Sequence, residues 1–262
     1  MNQFSELQPW PFHQGEKIIH FSQDEYGRIL VIDDGKQRIL NFDSPFEQSC
    51  MQLSYPYQLV HHYTRFMVLA VAFVDPVHIT LFGLGGGSLL RTLHQVLPNC
   101  TFQVVELRQA VVGIAKEYFL LPKDHRVRIT INDASEEVSQ MDSNSSDIIF
   151  ADMYGAYRMA PEQIKKTFLL ECTRVLTDQG FLVINLHNLP NDRSAFFEML
   201  KNIFSTVMLS ASTDNIVLFA SNAPPERVEP NVQRMEGIEE NLHQRLTPLL
   251  ARLQRINVQI AP

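Results

Sequence analysis

Between residues 78 and 106 the chain passes from a short apolar segment into Gly83-Leu84-Gly85-Gly86-Gly87-Ser88, through a helical stretch, and out along a second apolar segment ending in Glu106. Few local patterns constrain a fold so tightly. Glycines let the backbone turn sharply and approach a ligand, and the helix that follows presents unpaired N–H groups at its N-terminus. Glu106 lies nineteen residues past Gly87. At the tip of the second strand, its carboxylate is placed to accept hydrogen bonds from both ribose hydroxyls of an adenosine lying over the turn. Gly83, Gly85 and Gly87 are the expected nucleotide-binding glycines. The dinucleotide fingerprint Gly-x-Gly-x-x-Gly fails at its last position, where Ser88 stands, so a nicotinamide dinucleotide is not the expected ligand.

The rest of the chain fits around that unit. Strand patterns at 78–82, 101–107, 127–132, 147–151 and 181–186 alternate with helical patterns at 88–96, 109–119, 161–175 and 194–204. Such alternation predicts a parallel sheet covered by helices on both faces. Segments 206–212 and 216–221 flank a turn at 213–215 and read as a terminal hairpin. The expected fold is therefore α/β, with a class I S-adenosylmethionine-dependent methyltransferase-like (Rossmann-like) sheet, where such a layout is found more than in nicotinamide domains. Ahead of it, β-branched runs at 18–21, 29–32 and 38–42 are separated by turns carrying Gly27 and Gly35, which predicts a small antiparallel sheet. Residues 59–73 read as one helix.

Three regions are expected: 1–57 with the small sheet, 58–222 as the nucleotide-binding catalytic domain, and 223–262 as a linker followed by amphipathic helices. The linker is the proline-rich stretch 222–231. Ile238, Leu242, Leu246, Leu249, Leu250 and Leu253 then form one apolar stripe. Thr247 is expected to cap a second short helix with Pro248 at its first position, the pair packing on its own domain or, as the alternative, forming an oligomer contact. Trp10 reads as an N-terminal packing anchor.

Charge and cysteine usage remove several function classes. Lys and Arg number 22 against 29 Asp and Glu, a net charge of -7, so no general basic field exists to hold nucleic acid. Pro9, Pro11, Glu6 and Glu16 interrupt the N-terminal segment where a signal peptide needs an apolar run, and no stretch is long and apolar enough to span a membrane. Cys50, Cys100 and Cys172 are far apart and lack metal-ligand spacing. The expectations are a cytoplasmic protein, no metal, no nucleic acid and no membrane partner, with a homodimer left open.

Carboxylates at strand ends mark the candidate site. Asp133 follows the third strand, where it can accept a bond from an adenine amino group or simply cap a helix. Asp152 ends the fourth strand at the carboxyl edge, where ligands of open α/β sheets bind. Tyr154 and Tyr157 stand in the loop behind it. His187, after the fifth strand at the same edge, reads either as a general base or as a loop histidine bonded to the backbone. Adjacent helical residues point about 100° apart, so His61 and His62 cannot form one chelating face. Together with Tyr63 they read as packing or interface residues.

Tyr26-Gly27-Arg28-Ile29-Leu30-Val31-Ile32-Asp33, the glycine turn continuing into Leu89-Leu90-Arg91, Val104-Val105-Glu106-Leu107, Asp133-Ala134, Asp147-Ile148-Ile149-Phe150-Ala151-Asp152 and Arg174-Val175-Leu176 before Gly180 occur in a specific order and spacing. Together they resemble the spermidine synthase family of polyamine aminopropyltransferases, over residues 17 to about 221. The resemblance implies that Glu106 holds the ribose, Asp133 the adenine and the glycine turn the sulfonium end. Asp152 matches the first aspartate of the family's Asp-x-x-Asp loop. The second, which helps deprotonate the attacking amine, falls on Gly155. The aspartate of the family's Gly-Gly-Gly-Asp-Gly-Gly turn, which binds the donor's free amine, falls on Gly86, and the family's Tyr-His/Gln-Glu segment falls on Glu47-Gln48-Ser49.

The losses are one-sided: groups expected to bind adenosine are kept, while groups that handle ammonium ions are not. The expected activity is therefore a spermidine synthase-like transfer of an alkyl group, aminopropyl or methyl, from S-adenosylmethionine or its decarboxylated form to a small-molecule acceptor such as an amine. Standard aminopropylation of putrescine is not expected. Asp152, Tyr154 and His187 are the candidate catalytic residues. The alternative is a non-catalytic regulatory protein that binds an adenosyl nucleotide.

Overall fold

The computed structural model describes residues 11, 13, 15–211 and 215–256. Trp10 and most of the turn at 213–215 lie outside them. Four strands, β1 (Lys17–Asp24), β2 (Gly27–Asp33), β3 (Gln37–Asn41) and β4 (Glu47–Gln52), form an antiparallel meander. The sequence pattern anticipates only three of them. β4 opens with three polar residues, and its strand character comes from pairing with β3, where Ile39 faces Cys50 and Leu40 faces Ser49.

The main sheet is built on five parallel strands: β5 (His78–Phe82), β6 (Thr101–Glu106), β7 (Val127–Ile131), β8 (Ser146–Ala151) and β9 (Leu176–Leu186). Against β9 lies the antiparallel β11 (Ile216–Ser221), followed by β10 (Thr206–Ala211) and the short β12 (Gln254–Arg255), in the order β12-β10-β11-β9-β8-β5-β6-β7. The chain reverses direction of sheet growth between β7 and β8, which leaves a crevice at the carboxyl ends of β5 and β8. This is the methyltransferase-like sheet anticipated above, with its terminal hairpin.

Central strands are apolar on both faces, as burial between two helical layers requires. Ile79, Leu81, Ile148, Phe150 and Val183 meet α2 (Ser88–Val96) and α7 (Val232–Leu242) on one side. Phe82, Ile149, Ala151, Leu182 and Ile184 meet α5 (Lys166–Val175) and α6 (Arg193–Ile203) on the other. α3 (Gln109–Tyr118) joins the two sheets: its Val111 and Ile114 pack with Ile29, Val31, Leu40 and Phe42 of the meander.

Two helices differ from the periodic reading. Residues 59–73 hold only α1 (His62–Met67), followed by a 3-10 turn at Val68–Ala72. The Arg65 guanidinium occupies the Leu59 and Val60 carbonyls at 2.8 and 3.2 Å, and the 3-10 residues are fully buried, so packing decides the winding. In 161–175, extended Lys165 separates a 3-10 turn at Pro161–Ile164 from α5. The break turns Gln163 inward, where it supports the site described below.

The C-terminal stripe packs on its own chain, through Met235, Ile238, Leu242 and Leu246. The second element there is a 3-10 helix, Thr247–Arg252, whose N-cap is Leu246 without a side-chain cap, not Thr247. Capping falls instead to Glu239, whose carboxylate accepts from the Leu246 and Thr247 N–H groups. Among the described residues no helix is long and apolar enough to cross a membrane.

Candidate active site

The glycine turn closes against the strands it links. Gly83 donates its N–H to Val105 O at 2.9 Å, and Asp152 donates to Phe82 O at 2.9 Å. At Gly83 the backbone has φ +90° and a Cβ would stand 2.3 Å from Asp152 O, so only glycine fits. Gly87 is the left-handed N-cap of α2, and its Cα faces Leu121, not the ligand crevice. Behind the turn, buried Arg91 donates to Gly86 O at 3.1 Å, Phe119 O at 2.8 Å and Pro56 O at 2.6 Å, and burial pulls its guanidinium down to about 10.

Glu106, only 8% exposed, accepts from the Leu84 N–H through Oε2 and from the Arg108 N–H through Oε1, both at 2.9 Å. The Gly85 N–H also acts on this carboxylate, and of its roughly four lone-pair positions one remains for a ligand. Burial raises the Glu106 carboxyl, while the backbone N–H bonds and the Arg108 charge oppose that rise. Arg108 itself forms a two-point pair with Asp24 at 2.7 and 3.0 Å, donates to Gly27 O, and lies 4.3 Å over the Phe42 ring. It ties the meander to the wall of the crevice.

Asp133 caps α4 (Ala134–Gln140), a helix the periodicity did not reveal. Its Oδ1 accepts from Ser135 N at 2.7 Å and Glu136 N at 3.3 Å. Both bonds fall on Oδ1, so Oδ2 stays available to a ligand. Capping and nucleotide contact are compatible here.

At the other wall, Asp152 accepts from Asn185 Nδ2 through Oδ1 at 2.8 Å and from the Tyr63 hydroxyl through Oδ2 at 3.2 Å. Burial raises its carboxyl, outweighing these two donors and nearby His61. Asn185 is the hub: its Oδ1 accepts from Asn215, and its carbonyl accepts from Tyr154 OH at 3.1 Å and Gln163 Nε2 at 2.8 Å. Burial and the Asp152 charge push the Tyr154 hydroxyl upward, so it stays protonated. His187 is exposed, and its imidazole has no partner among the described residues.

Gly83, Gly85, Glu106, Asp133, Asp152, Tyr154 and His187 all line one cavity of about 710 Å³, and Gly87 does not. Tyr63 is also on that wall and bonds to Asp152, which corrects the reading of it as a packing or interface residue. His61 pairs with Glu47 at 2.8 Å. Tyr63, Arg108, Gln163 and Asn185 were not singled out as site residues by the sequence patterns.

Two glycines stand where the resembled family has carboxylates, in opposite steric settings. A Cβ on Gly86 would lie 2.8 Å from Ser49 Oγ and 3.0 Å from Phe119, whereas one on Gly155 has nothing nearer than Arg158 O at 3.9 Å. Ser49, bonded to Ser88 at 3.0 Å, fills the space an aspartate at position 86 needs.

No protein-family model matches the chain. Among curated proteins it is 28% identical over 223 residues to the polyamine aminopropyltransferase of Neisseria meningitidis serogroup B, covering 83% of this chain and 84% of that one. It is 26% identical over 239 residues to that of Chromobacterium violaceum, covering 89% and 92%. Among solved structures, a probable spermidine synthase from Corynebacterium glutamicum superposes with a TM-score of 0.74 at 22% identity, over 92% of this chain and 91% of that one. A spermidine synthase complexed with the transition-state analogue AdoDATO gives 0.73 at 16% identity, over 94% and 93%. Human methyltransferase-like protein 13 with SAH gives 0.60 at 19% identity, over 71% and 94%. Over most of its length, the chain is therefore similar in sequence to the polyamine aminopropyltransferases and in fold to the spermidine synthases.

Proposed function

We propose that the protein is a transferase that uses S-adenosylmethionine or decarboxylated S-adenosylmethionine as donor and moves an alkyl group to a small nucleophile such as an amine. The observation that carries this reading is the convergence of Glu106, Asp133 and Asp152 on one cavity beside the glycine turn. Glu106 has a lone pair left for a ribose hydroxyl and Asp133 Oδ2 is open to an adenine amino group, so the residues fit an adenosyl donor. The sulfonium end then lies toward Asp152.

The chemistry needs little from the protein beyond orientation and a base. The acceptor's lone pair forms a bond to a carbon next to sulfur, the carbon–sulfur bond breaks, and its electron pair neutralises the sulfonium to a thioether. An amine acceptor sheds its proton to Asp152. A carboxylate with a raised proton affinity is the better base. Tyr63 and Asn185 orient it, and Tyr154 roofs the acceptor end.

Gly86, Gly155 and Ser49 argue against plain spermidine synthesis. Putrescine with decarboxylated S-adenosylmethionine is expected to give little or no spermidine; turnover of about 1 s⁻¹, in the ordinary enzyme range, would overturn that. Calorimetry with methylthioadenosine, S-adenosylmethionine and its decarboxylated form tests the donor class directly. Absence of binding by all three defeats the proposal. Binding with no turnover across a broad acceptor panel favours the regulatory reading instead.

Restoring the two family carboxylates is expected to have unequal results. Gly86→Asp overpacks against Ser49 and Phe119 and is expected to cost about 1–3 kcal/mol in a thermal melt. Gly155→Asp enters open space and is expected to stay within about 0.5 kcal/mol of the parent. Equal melting temperatures for the two variants would contradict this account of the turn.

A further inference from the structure

The charged side chains on the cavity wall are nearly all committed. Glu47 pairs with His61, Arg108 with Asp24, and Glu162 with Lys165 at 3.0 Å. Glu106 and Asp133 accept backbone N–H groups, and Asp152 is held by Asn185 and Tyr63. Arg158 is the exception. It is an exposed residue among those that line the cavity, and its side chain has no ion pair or hydrogen bond among the described residues.

The segment carrying Arg158 is well anchored. Gly155 N donates to Arg158 O at 3.0 Å, Ala160 N to Met153 O at 2.8 Å, and the Tyr157 hydroxyl to Asp43 O of the meander at 3.1 Å. Ala156 packs with the cluster around Phe42. These bonds fix the backbone from which the Arg158 side chain extends, and its guanidinium offers a planar fork that matches a carboxylate. It also stands three residues after Gly155, the position on which the resembled family's second aspartate falls, so this loop carries a cation near that position and no carboxylate at it.

We propose that Arg158 is a specificity-determining residue that seats a carboxylate of the substrate pair. This rests on the transferase reading above and narrows it. The carboxylate has two sources: the α-carboxylate of S-adenosylmethionine, absent from its decarboxylated form, or a carboxylate on the acceptor, as in an amino acid with a side-chain amine. A dicationic acceptor such as putrescine meets an uncompensated positive charge at the same place.

Calorimetry on the parent, Arg158→Gln and Arg158→Glu separates these cases. Methylthioadenosine, which has no tail, is expected to bind all three within about twofold. If the donor supplies the carboxylate, Arg158→Gln weakens S-adenosylmethionine about tenfold and Arg158→Glu more, with decarboxylated donor unchanged or improved. If the acceptor supplies it, ornithine titrated onto the methylthioadenosine complex shows that loss, and putrescine gains with Arg158→Glu. Variants that match the parent within twofold for S-adenosylmethionine and ornithine, while methylthioadenosine binds normally, overturn the role of Arg158 and leave the transferase reading standing. No methylthioadenosine binding by the parent overturns both.

Discussion

Glu106→Ala is expected to weaken methylthioadenosine and S-adenosylmethionine by about thirtyfold or more. The ribose hydroxyls lose a charged acceptor, and a hydrogen bond to a charged group is worth about 1.5–3 kcal/mol. The change also strips the partners from the Leu84 and Arg108 N–H groups in a buried setting. Leaving such donors unsatisfied costs about 1–3 kcal/mol, and in a domain of this size each kcal/mol lowers Tm by roughly 2–4 °C. Lower affinity alone therefore does not prove ribose contact. Glu106→Gln is the control, because its carbonyl oxygen keeps an acceptor for the turn while the charge is gone. A folded Glu106→Gln protein that binds methylthioadenosine as tightly as the parent would remove Glu106 from the nucleotide site.

The glycine turn and Glu106 were legible in the sequence because their geometry is local. Gly83 needs its positive φ and its close approach to Asp152 whatever else the chain does, and a strand-turn-helix-strand unit carries its acid at a fixed distance. The residues that hold the Asp152 wall were not legible. Tyr63 reaches Asp152 across 89 positions of sequence, and Arg108 reaches Asp24 across 84. No periodicity encodes which tyrosine of a helix faces a strand end that far away. Asn185 reads as one more position in an apolar strand, and Gln163 lies in what the pattern takes for a continuous helix. Both become site residues only when the sheet order places β9 beside β8 and Lys165 breaks the helix.

The same contrast explains the element boundaries. Helix ends at 59–73 and 161–175 depend on buried contacts and on side chains that claim backbone carbonyls, which overrule a 3.6-residue pattern. β4 is polar at its start and exists because β3 offers an edge. Core strands, by contrast, are apolar on both faces, and β5, β6 and β8 lie within one residue of the segments the pattern marks, while β9 begins five residues before its expected start, at Leu176.

Asp152→Asn is expected to reduce turnover on the true acceptor by about a hundredfold to ten-thousandfold, the usual value of a positioned base. The substitution keeps the shape of the side chain and an oxygen for Asn185, so the wall should remain assembled. Its stability signature runs opposite to its activity. Because the carboxyl is raised in the folded state, the native protein binds that proton more tightly than the unfolded chain, and stability falls as pH climbs through the interval between the two values. Asn carries no such penalty, so the variant should melt at or above the parent temperature at neutral pH. For kcat/KM, the parent should rise with pH as Asp152 ionises, above the usual carboxylate range, and this acid limb should vanish in Asp152→Asn. Tyr63→Phe removes a donor that favours the ionised form and should move the limb to higher pH. An Asp152→Asn enzyme within threefold of the parent, or an acid limb that neither substitution moves, would take the base away from Asp152.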